Sequence, residues 1–123
     1  MSIAAVPQAA SRFVGARATQ CYVFDIDGTL ADGSHRVHHI LTRPKDWDAY
    51  FALMEDDGLI LHIAEVCKAV AEVYDVVYVT GRPEEHREPT RRWMRRHHLP
   101  PGPLYMRPEG DRRDDDVVKI EIL

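Results

Sequence analysis

The chain has 123 residues, of which 45% are apolar and 29% are charged, and this is typical of one globular domain. Its formal net charge of −4 excludes a protein that coats nucleic acid over its whole surface, although a local basic strip remains compatible. No apolar run approaches the ~20 residues of a membrane span, so we expect no membrane partner. Cys21 and Cys67 form no disulfide framework, and we interpret them as buried, reduced thiols of a cytoplasmic protein.

The first predicted element is an apolar strand over residues 21–24, which begins a domain over 20–123. Residues 1–19 are rich in alanine and contain no acid, so we expect a flexible N-terminal tail. The strand lacks polar alternation, which is typical of a strand covered on both faces in a parallel sheet. A helix over 46–54 follows, and its aromatic and apolar residues recur at helical spacing, which favours packing against the core. They are Trp47, Tyr50, Phe51 and Met54.

A strand–helix–strand unit occupies the middle of the chain. Helical spacing of apolar residues over 59–74 leads into a second apolar run at 76–80, which predicts a right-handed parallel crossover. A helix beginning near Pro89, a short strand at 104–107 and a helix over 114–123 complete the order. This order predicts an α/β fold with three layers around a parallel sheet.

Two aspartates stand where the first strand ends. Ligands of such sheets bind beyond the carboxyl ends of the strands, and alternation lets Asp25 and Asp27 point the same way while Ile26 points into the core. Gly28 allows a sharp turn there. Two like charges repel unless something holds them, and Mg²⁺ is suited to these hard oxygen ligands. A simple Asp-x-Asp-Gly turn remains the alternative, whereas a calcium loop is disfavoured because Arg36 occupies its twelfth position.

Three motifs carry a resemblance to a known superfamily. Residues 25–30, Asp-Ile-Asp-Gly-Thr-Leu, resemble the first motif of the haloacid dehalogenase (HAD) phosphohydrolases, and Thr80-Gly81-Arg82 and Lys119 resemble the second and third. With Arg36, the helix around Trp93 and residues 106–122, the chain is similar to the 3′-phosphatase domain of phage polynucleotide kinase–phosphatases. The resemblance implies a Rossmann-like HAD core, here without a large cap, in a chain related to phage nucleic acid repair.

The resemblance also implies residue roles. Asp25 would attack the phosphate and bind Mg²⁺, and Asp27 would protonate the leaving oxygen, activate water and contact the metal through its backbone carbonyl. Thr80 would donate to a phosphate oxygen, and Lys119 would neutralise charge. The expected substrate-binding residues are Gly28, Thr29, Arg36, Gly81, Arg82 and Asp115. The two arginines match phosphate oxygens bidentately, and Asp115 lies one helical turn before Lys119, where it can pair with it.

The expected activity is Mg²⁺-dependent hydrolysis of a 3′-phosphate at a DNA or RNA end through an aspartyl-phosphate. The alternatives are a small-molecule nucleotidase of the same superfamily, or a non-catalytic or assembly-dependent remnant that binds a nucleic-acid end or a partner chain. No GxxxxGK[ST] loop indicates a kinase in this sequence.

The sequence departs from the superfamily at its C-terminal end. The fourth motif, an acid after a further strand beside the first strand, has no counterpart before Leu123. We therefore expect a C-terminally incomplete core whose first strand has an exposed edge. A homodimer or a strand-swapped partner is one way to cover that edge.

Overall fold

The computed structural model describes residues 3–7 and 20–123, with side chains described for 20–123. Its strands are β1 (Ile3–Pro7), β2 (Gln20–Asp25), β3 (Ala31–Asp32), β4 (Gly58–Leu59), β5 (Asp75–Pro83) and β6 (Leu104–Arg107). Its helices are α1 (His38–Leu41), α2 (Trp47–Ala52), α3 (Leu61–Ala71), α4 (Arg87–Arg96) and α5 (Asp115–Ile122). Short 3-10 turns occupy Met54–Asp56 and Glu84–His86. In the described part of the chain, no helix has the length and apolarity to cross a membrane.

The main sheet has the strand order β1-β2-β5-β6. Strands β2, β5 and β6 run parallel, and β2 is in register with β5 from Cys21 opposite Asp75 to Asp25 opposite Val79. The carboxyl ends of β2 and β5 therefore lie side by side, as the predicted crossover requires. The α/β fold with a parallel sheet is confirmed.

The edge of β2 that the sequence predicted to be exposed pairs with β1, so that prediction is wrong. This pairing is antiparallel and runs from Ile3 opposite Phe24 to Pro7 opposite Gln20. At residues 3–7 the structure thus has a strand where the sequence predicts a flexible tail, because the unpaired backbone groups of β2 offer hydrogen bonds that local composition does not reveal. The rest of the predicted tail, residues 1–2 and 8–19, lies outside the described residues.

The core lies on one face of the sheet. Side chains of β2 and β5 at alternate positions, Phe24 and Tyr78 among them, pack with Cys67 of α3 and with Trp93 and Met94 of α4. Val77 and Val79 alternate to the other face of β5. On α5, which contacts β5 and β6, Val118 is fully buried outside this cluster. Both cysteines are buried, as predicted.

The aromatic helix was predicted to pack against the core, and this is wrong for most of its face. Helix α2 contains no buried residue, and Trp47 is 46% exposed. Only Met54, in the 3-10 turn after the helix, is buried. The periodicity predicted the helix and its apolar face correctly, but it could not say what that face contacts.

A tight contact joins the loop before β6 to β5. The amide of Tyr78 donates to the carbonyl oxygen of Pro103 at 2.8 Å, and a Cβ at Gly102 would overlap the carbonyl oxygen of Val76. We expect Gly102→Ala to lower the free energy of unfolding by about 1–3 kcal/mol, because backbone must move to admit the methyl group. Urea denaturation measures this. Gly58→Ala is the matched control, since its Cβ would meet nothing closer than 4.0 Å, and equal effects of both variants would contradict the prediction.

Candidate active site

The loop after β2 is a tight turn. The amides of Thr29, Leu30 and Ala31 all donate to the carbonyl oxygen of Ile26, at 3.2, 2.9 and 2.9 Å. Gly28 has a φ of +77°, a conformation that favours glycine, and the Ile26 side chain is fully buried in the core. The turn places the carboxylate of Asp27 beside the end of β2, where its side chain is 36% exposed.

Asp25 contacts the last helix. Its Oδ1 accepts hydrogen bonds from the amide of Ile26 at 2.9 Å and from Nζ of Lys119 at 3.0 Å. Burial raises the pKa of Asp25 above its ordinary value, although the hydrogen bond and charge of Lys119 oppose this shift. Among the described residues only Oδ1 of Asp25 is hydrogen-bonded, which leaves Oδ2 available to a ligand.

Lys119 is held between two carboxylates. Its Nζ lies 2.7 Å from Oδ2 of Asp115, one helical turn earlier, so the predicted pair forms. Burial alone would lower the pKa of Lys119, but the hydrogen bonds and charges of Asp115 and Asp25 outweigh it and raise the pKa. Lys119 is therefore a fixed positive charge beside the Asp25 carboxylate.

Glycine at position 81 allows Asp115 to approach the end of β5. A Cβ at Gly81 would overlap the Asp115 carboxylate. Arg107, the last residue of β6, donates from Nε to the Gly81 carbonyl oxygen at 2.9 Å and from Nη2 to Asp115 at 3.4 Å. The ends of β5, β6 and α5 are thereby joined around one carboxylate.

Two arginines converge on Asp27. Nη2 of Arg36 lies 3.0 Å from its Oδ1, and Arg82 donates from Nη2 at 2.8 Å and from Nε at 3.1 Å. The hydroxyl of Thr80 also points at Asp27, at 3.4 Å from Oδ2. Both guanidinium groups are almost completely buried, at 1% and 2% exposed. The sequence predicted these arginines as phosphate ligands, and both of them pair with the Asp27 carboxylate.

Asp57 lies behind these arginines and completes the cluster. Its fully buried carboxylate accepts from Nε and Nη2 of Arg36 at 2.7 and 2.8 Å, and from Nη2 of Arg82 at 3.2 Å. His35 contacts Oδ1 of Asp57 at 2.8 Å, and the indole of Trp93 donates to its backbone carbonyl at 2.8 Å. The result is a closed ring of two carboxylates and two guanidinium groups, which we call the charge ring: Asp27, Arg36, Asp57 and Arg82.

The charge ring sets the ionisation of Asp27. Burial would raise the pKa of this carboxyl group, but the charge and hydrogen bonds of Arg82, with the charges of Arg36 and Lys119, outweigh it and lower the pKa. Burial would lower the pKa of Arg36, but the hydrogen bond and charge of Asp57 outweigh burial and raise this pKa. Asp27 is therefore a carboxylate at neutral pH while the ring is closed.

All the predicted site residues lie around the ends of β2, β5 and α5. Thr29 is buried within the turn at 2% exposed, so its side chain supports the loop, and Thr80 is fully buried beneath Asp27. Sequence reasoning missed Asp57, and it assigned no role to Arg107. The rule that sites lie at strand ends could have found Arg107, because it ends β6.

The carboxylate oxygens of Asp25 and Asp27 are of the chemical type that Mg²⁺ prefers. Asp25 and Asp27 supply hard carboxylate oxygens, and Mg²⁺ commonly binds through one or two carboxylates together with waters and substrate phosphate. Within residues 20–123, no group of three or more His, Cys, Asp or Glu side chains is arranged to hold a metal. The described residues therefore offer a partial metal site rather than a complete protein cage.

Two carboxylates and a hydroxyl at the ends of parallel strands, with a lysine from a following helix beside them, are the arrangement of the HAD-type phosphohydrolases. A family model, described as the polynucleotide kinase PNKP phosphatase domain, matches residues 19–123. The chain belongs to this family.

Solved structures support the same relationship. One similar chain comes from a structure described as that of the Pnkp1/Rnl/Hen1 complex, with 29% sequence identity and a TM-score of 0.66 over 81% of this chain. Another, from the Pnkp1/Rnl/Hen1 RNA repair complex, has 28% identity and a TM-score of 0.64 over 81% of this chain. The chain spans only 32% and 29% of their lengths. Among curated protein sequences, none matches this chain.

The charge ring yields a stability prediction. Asp57→Ala removes a carboxylate that accepts hydrogen bonds from the buried guanidinium groups of Arg36 and Arg82. We therefore expect the free energy of unfolding to fall by about 3–5 kcal/mol. Urea denaturation measures the loss. Glu84→Ala is the matched control, because Glu84 pairs with Arg87 on the surface and such pairs contribute about 0–1 kcal/mol. A loss for Asp57→Ala no larger than for this control would show that the ring is not a structural element.

Proposed function

We propose that this chain is a phosphatase domain that removes a 3′-phosphate from the end of a polynucleotide, through an aspartyl-phosphate and with Mg²⁺. The observation that supports it most is the convergence of Asp25, Lys119 and the charge ring at the strand ends, in a chain of the polynucleotide kinase PNKP phosphatase family. Phosphoryl transfer depends chiefly on positioning and charge neutralisation, and this site provides both.

Asp25 is the nucleophile in this proposal. An oxygen of its carboxylate attacks phosphorus while the bond from phosphorus to the 3′-oxygen of the substrate breaks. Lys119, 3.0 Å from Asp25, holds the carboxylate in place and neutralises charge on the transferring group. A bound Mg²⁺, held by Asp25 and the Asp27 backbone carbonyl, would supply further charge neutralisation.

Asp27 is the general acid and then the general base in this proposal. It gives a proton to the departing 3′-oxygen and takes one from the water that then attacks the aspartyl-phosphate, which releases inorganic phosphate and restores Asp25. Arg36 and Arg82 lower the pKa of Asp27 and keep it ionised. A phosphate that draws Arg36 and Arg82 toward itself weakens their hold on Asp27, so substrate binding favours the protonated carboxyl group that the first step needs.

The short insertion after the first motif favours a polymer end as substrate. Between β3 and β4 the chain forms only α1, α2 and one 3-10 turn, and the Asp27 carboxylate remains partly exposed. An open site of this kind admits a chain end as well as a small ester. The RNA repair complex among the similar structures motivates including RNA with DNA.

A second candidate is a site that needs an acid from outside the described residues. The partial metal site within residues 20–123 favours it, and the similar structures are multi-protein complexes. In that case the chain alone binds phosphate or nucleic acid but turns substrate over slowly.

The direct test is phosphate release with Mg²⁺ from 3′-phosphorylated DNA and RNA oligonucleotides. A 5′-phosphorylated oligonucleotide and a 3′-mononucleotide serve as comparison substrates. We expect release from 3′ ends and none by Asp25→Asn, which lacks the nucleophile. No release beyond this variant would refute the phosphatase proposal for this chain, whereas equal kcat/KM on mononucleotide and oligonucleotide would indicate a nucleotidase.

Gly81→Ala tests the role of Lys119 more finely. The added methyl group must displace Asp115, whose side chain is 53% exposed and can move outward, so stability should change by less than about 1 kcal/mol. Lys119 then loses one of its two partners, and we expect kcat to fall about 10- to 100-fold through misplacement. Phosphate release and urea denaturation are measured side by side. Unchanged kcat in a folded Gly81→Ala protein would refute the positioning role.

A further inference from the structure

An aromatic surface lies beside the charge ring. It consists of Trp47, Tyr50 and Phe51 of α2 together with His86, and we call it the aromatic face. The Trp47 and Phe51 rings are stacked at 5.8 Å, those of Phe51 and His86 are stacked at 4.6 Å, and Tyr50 meets Trp47 edge-on at 5.7 Å. These contacts fix the rings while leaving Trp47 46% exposed.

One arginine connects the aromatic face to the reaction centre. The guanidinium carbon of Arg36 lies 4.2 Å from the centre of the Tyr50 ring, and its Nη1 donates to the Tyr50 carbonyl oxygen at 3.4 Å. Nη2 of the same group lies 3.0 Å from Asp27. The rings therefore begin one side chain away from Asp27, the carboxyl group proposed to protonate the leaving 3′-oxygen.

The approach to this surface is basic. Residues 35–45 contain two arginines, one lysine and three histidines, and no aspartate or glutamate. Of these, Arg43 and Lys45 are exposed, and Nζ of Lys45 lies 5.6 Å from the Trp47 ring. Phe51 and His86 also line a cleft of about 500 Å³, where Asp48 and Asp56 carry negative charge and Glu55 is paired with Arg92 at 2.6 Å. Residues 35–45 contribute no acid, so they favour a phosphate backbone more than this cleft does.

Aromatic rings beside positive charge are the features by which proteins hold single-stranded nucleic acid. We infer that the aromatic face is a stacking platform for the nucleobase next to the terminal phosphate. We further infer that Arg43 and Lys45 contact the internal phosphates on the 5′ side of that nucleotide. The inference rests on the proposed function, since it extends the same site along the polynucleotide. It gives the domain a preference for oligonucleotides over isolated phosphate esters.

Binding is tested separately from turnover. Trp93 is fully buried and Trp47 is exposed, so quenching of tryptophan fluorescence by a single-stranded 3′-phosphorylated hexanucleotide reports on Trp47. In the Asp25→Asn background, which does not consume the probe, we expect Trp47→Ala to weaken binding about 10-fold, the equivalent of one stacked base, as followed by anisotropy of a labelled hexanucleotide. Trp47→Phe should retain most of the affinity because it keeps a ring.

Two controls separate stacking from a general loss of structure. Val73→Ala removes another exposed apolar side chain, just before β5 begins and thus at the opposite end of the sheet, and it should bind like the parent. A hexanucleotide with an abasic site next to the terminal phosphate should bind the parent about 10-fold more weakly, yet bind Trp47→Ala no more weakly than the intact strand.

The outcomes distinguish the two proposals. At low concentration, slower turnover of the intact hexanucleotide by Trp47→Ala than by Val73→Ala supports the inference, because only the first variant removes part of the aromatic face. Parental affinity of Trp47→Ala for the hexanucleotide, or a dimer of the chain that buries Trp47, would overturn it while leaving the phosphatase proposal intact. Absence of turnover on every ester refutes the phosphatase proposal, whatever the effect of Trp47.

Discussion

The structure of the site depends on the ion pairs that Arg36 and Arg82 each make with both Asp27 and Asp57. Four buried or partly buried charges would be costly alone, because burial removes each from water. In the charge ring every guanidinium group meets two carboxylates, and Arg82 also donates to the buried hydroxyl of Thr90 at 3.1 Å. The ring joins the turn after β2, the turn after β3, the segment between the 3-10 turn and β4, and strand β5. Its function is therefore geometric, since it holds four chain segments in one arrangement.

The same ring separates the behaviour of the two aspartates. Asp27 is held ionised by the arginines, whereas burial raises the pKa of Asp25 and Lys119 only partly offsets this. Pairs of acids whose environments push their pKa values apart are suited to different tasks in one reaction. In the proposed reaction, Asp25 as nucleophile and Asp27 as acid–base group form such a pair. A phosphate that enters the site would bring negative charge to Lys119 and to the two arginines, and so alter the environments of both aspartates.

The sequence predicted the parts that depend on short-range pattern. Apolar runs predicted β2 and β5. The rule that ligands bind at the carboxyl ends of parallel strands predicted that Asp25 and Thr80 belong to one site, and helical spacing predicted the pair of Asp115 and Lys119. Asp57 was missed because its partners lie 21 and 25 positions away, and Asp-Asp-Gly is also ordinary turn chemistry. Strand β1 was missed because its place is set by the open edge of β2. These failures share one cause, which is that tertiary context determined what local composition left open.

The aromatic helix shows how such context separates packing from recognition. Its periodic face was interpreted as core, yet the core on this side of the sheet is already filled by α3 and α4. The rings pack on one another and on Arg36 instead. The site thus combines a fully buried carboxylate, Asp57, with an exposed ring, Trp47, on the helix whose Tyr50 stacks on Arg36. In the proposed binding mode, a polynucleotide whose terminal phosphate reaches these arginines continues along the aromatic rings and the basic residues of 35–45.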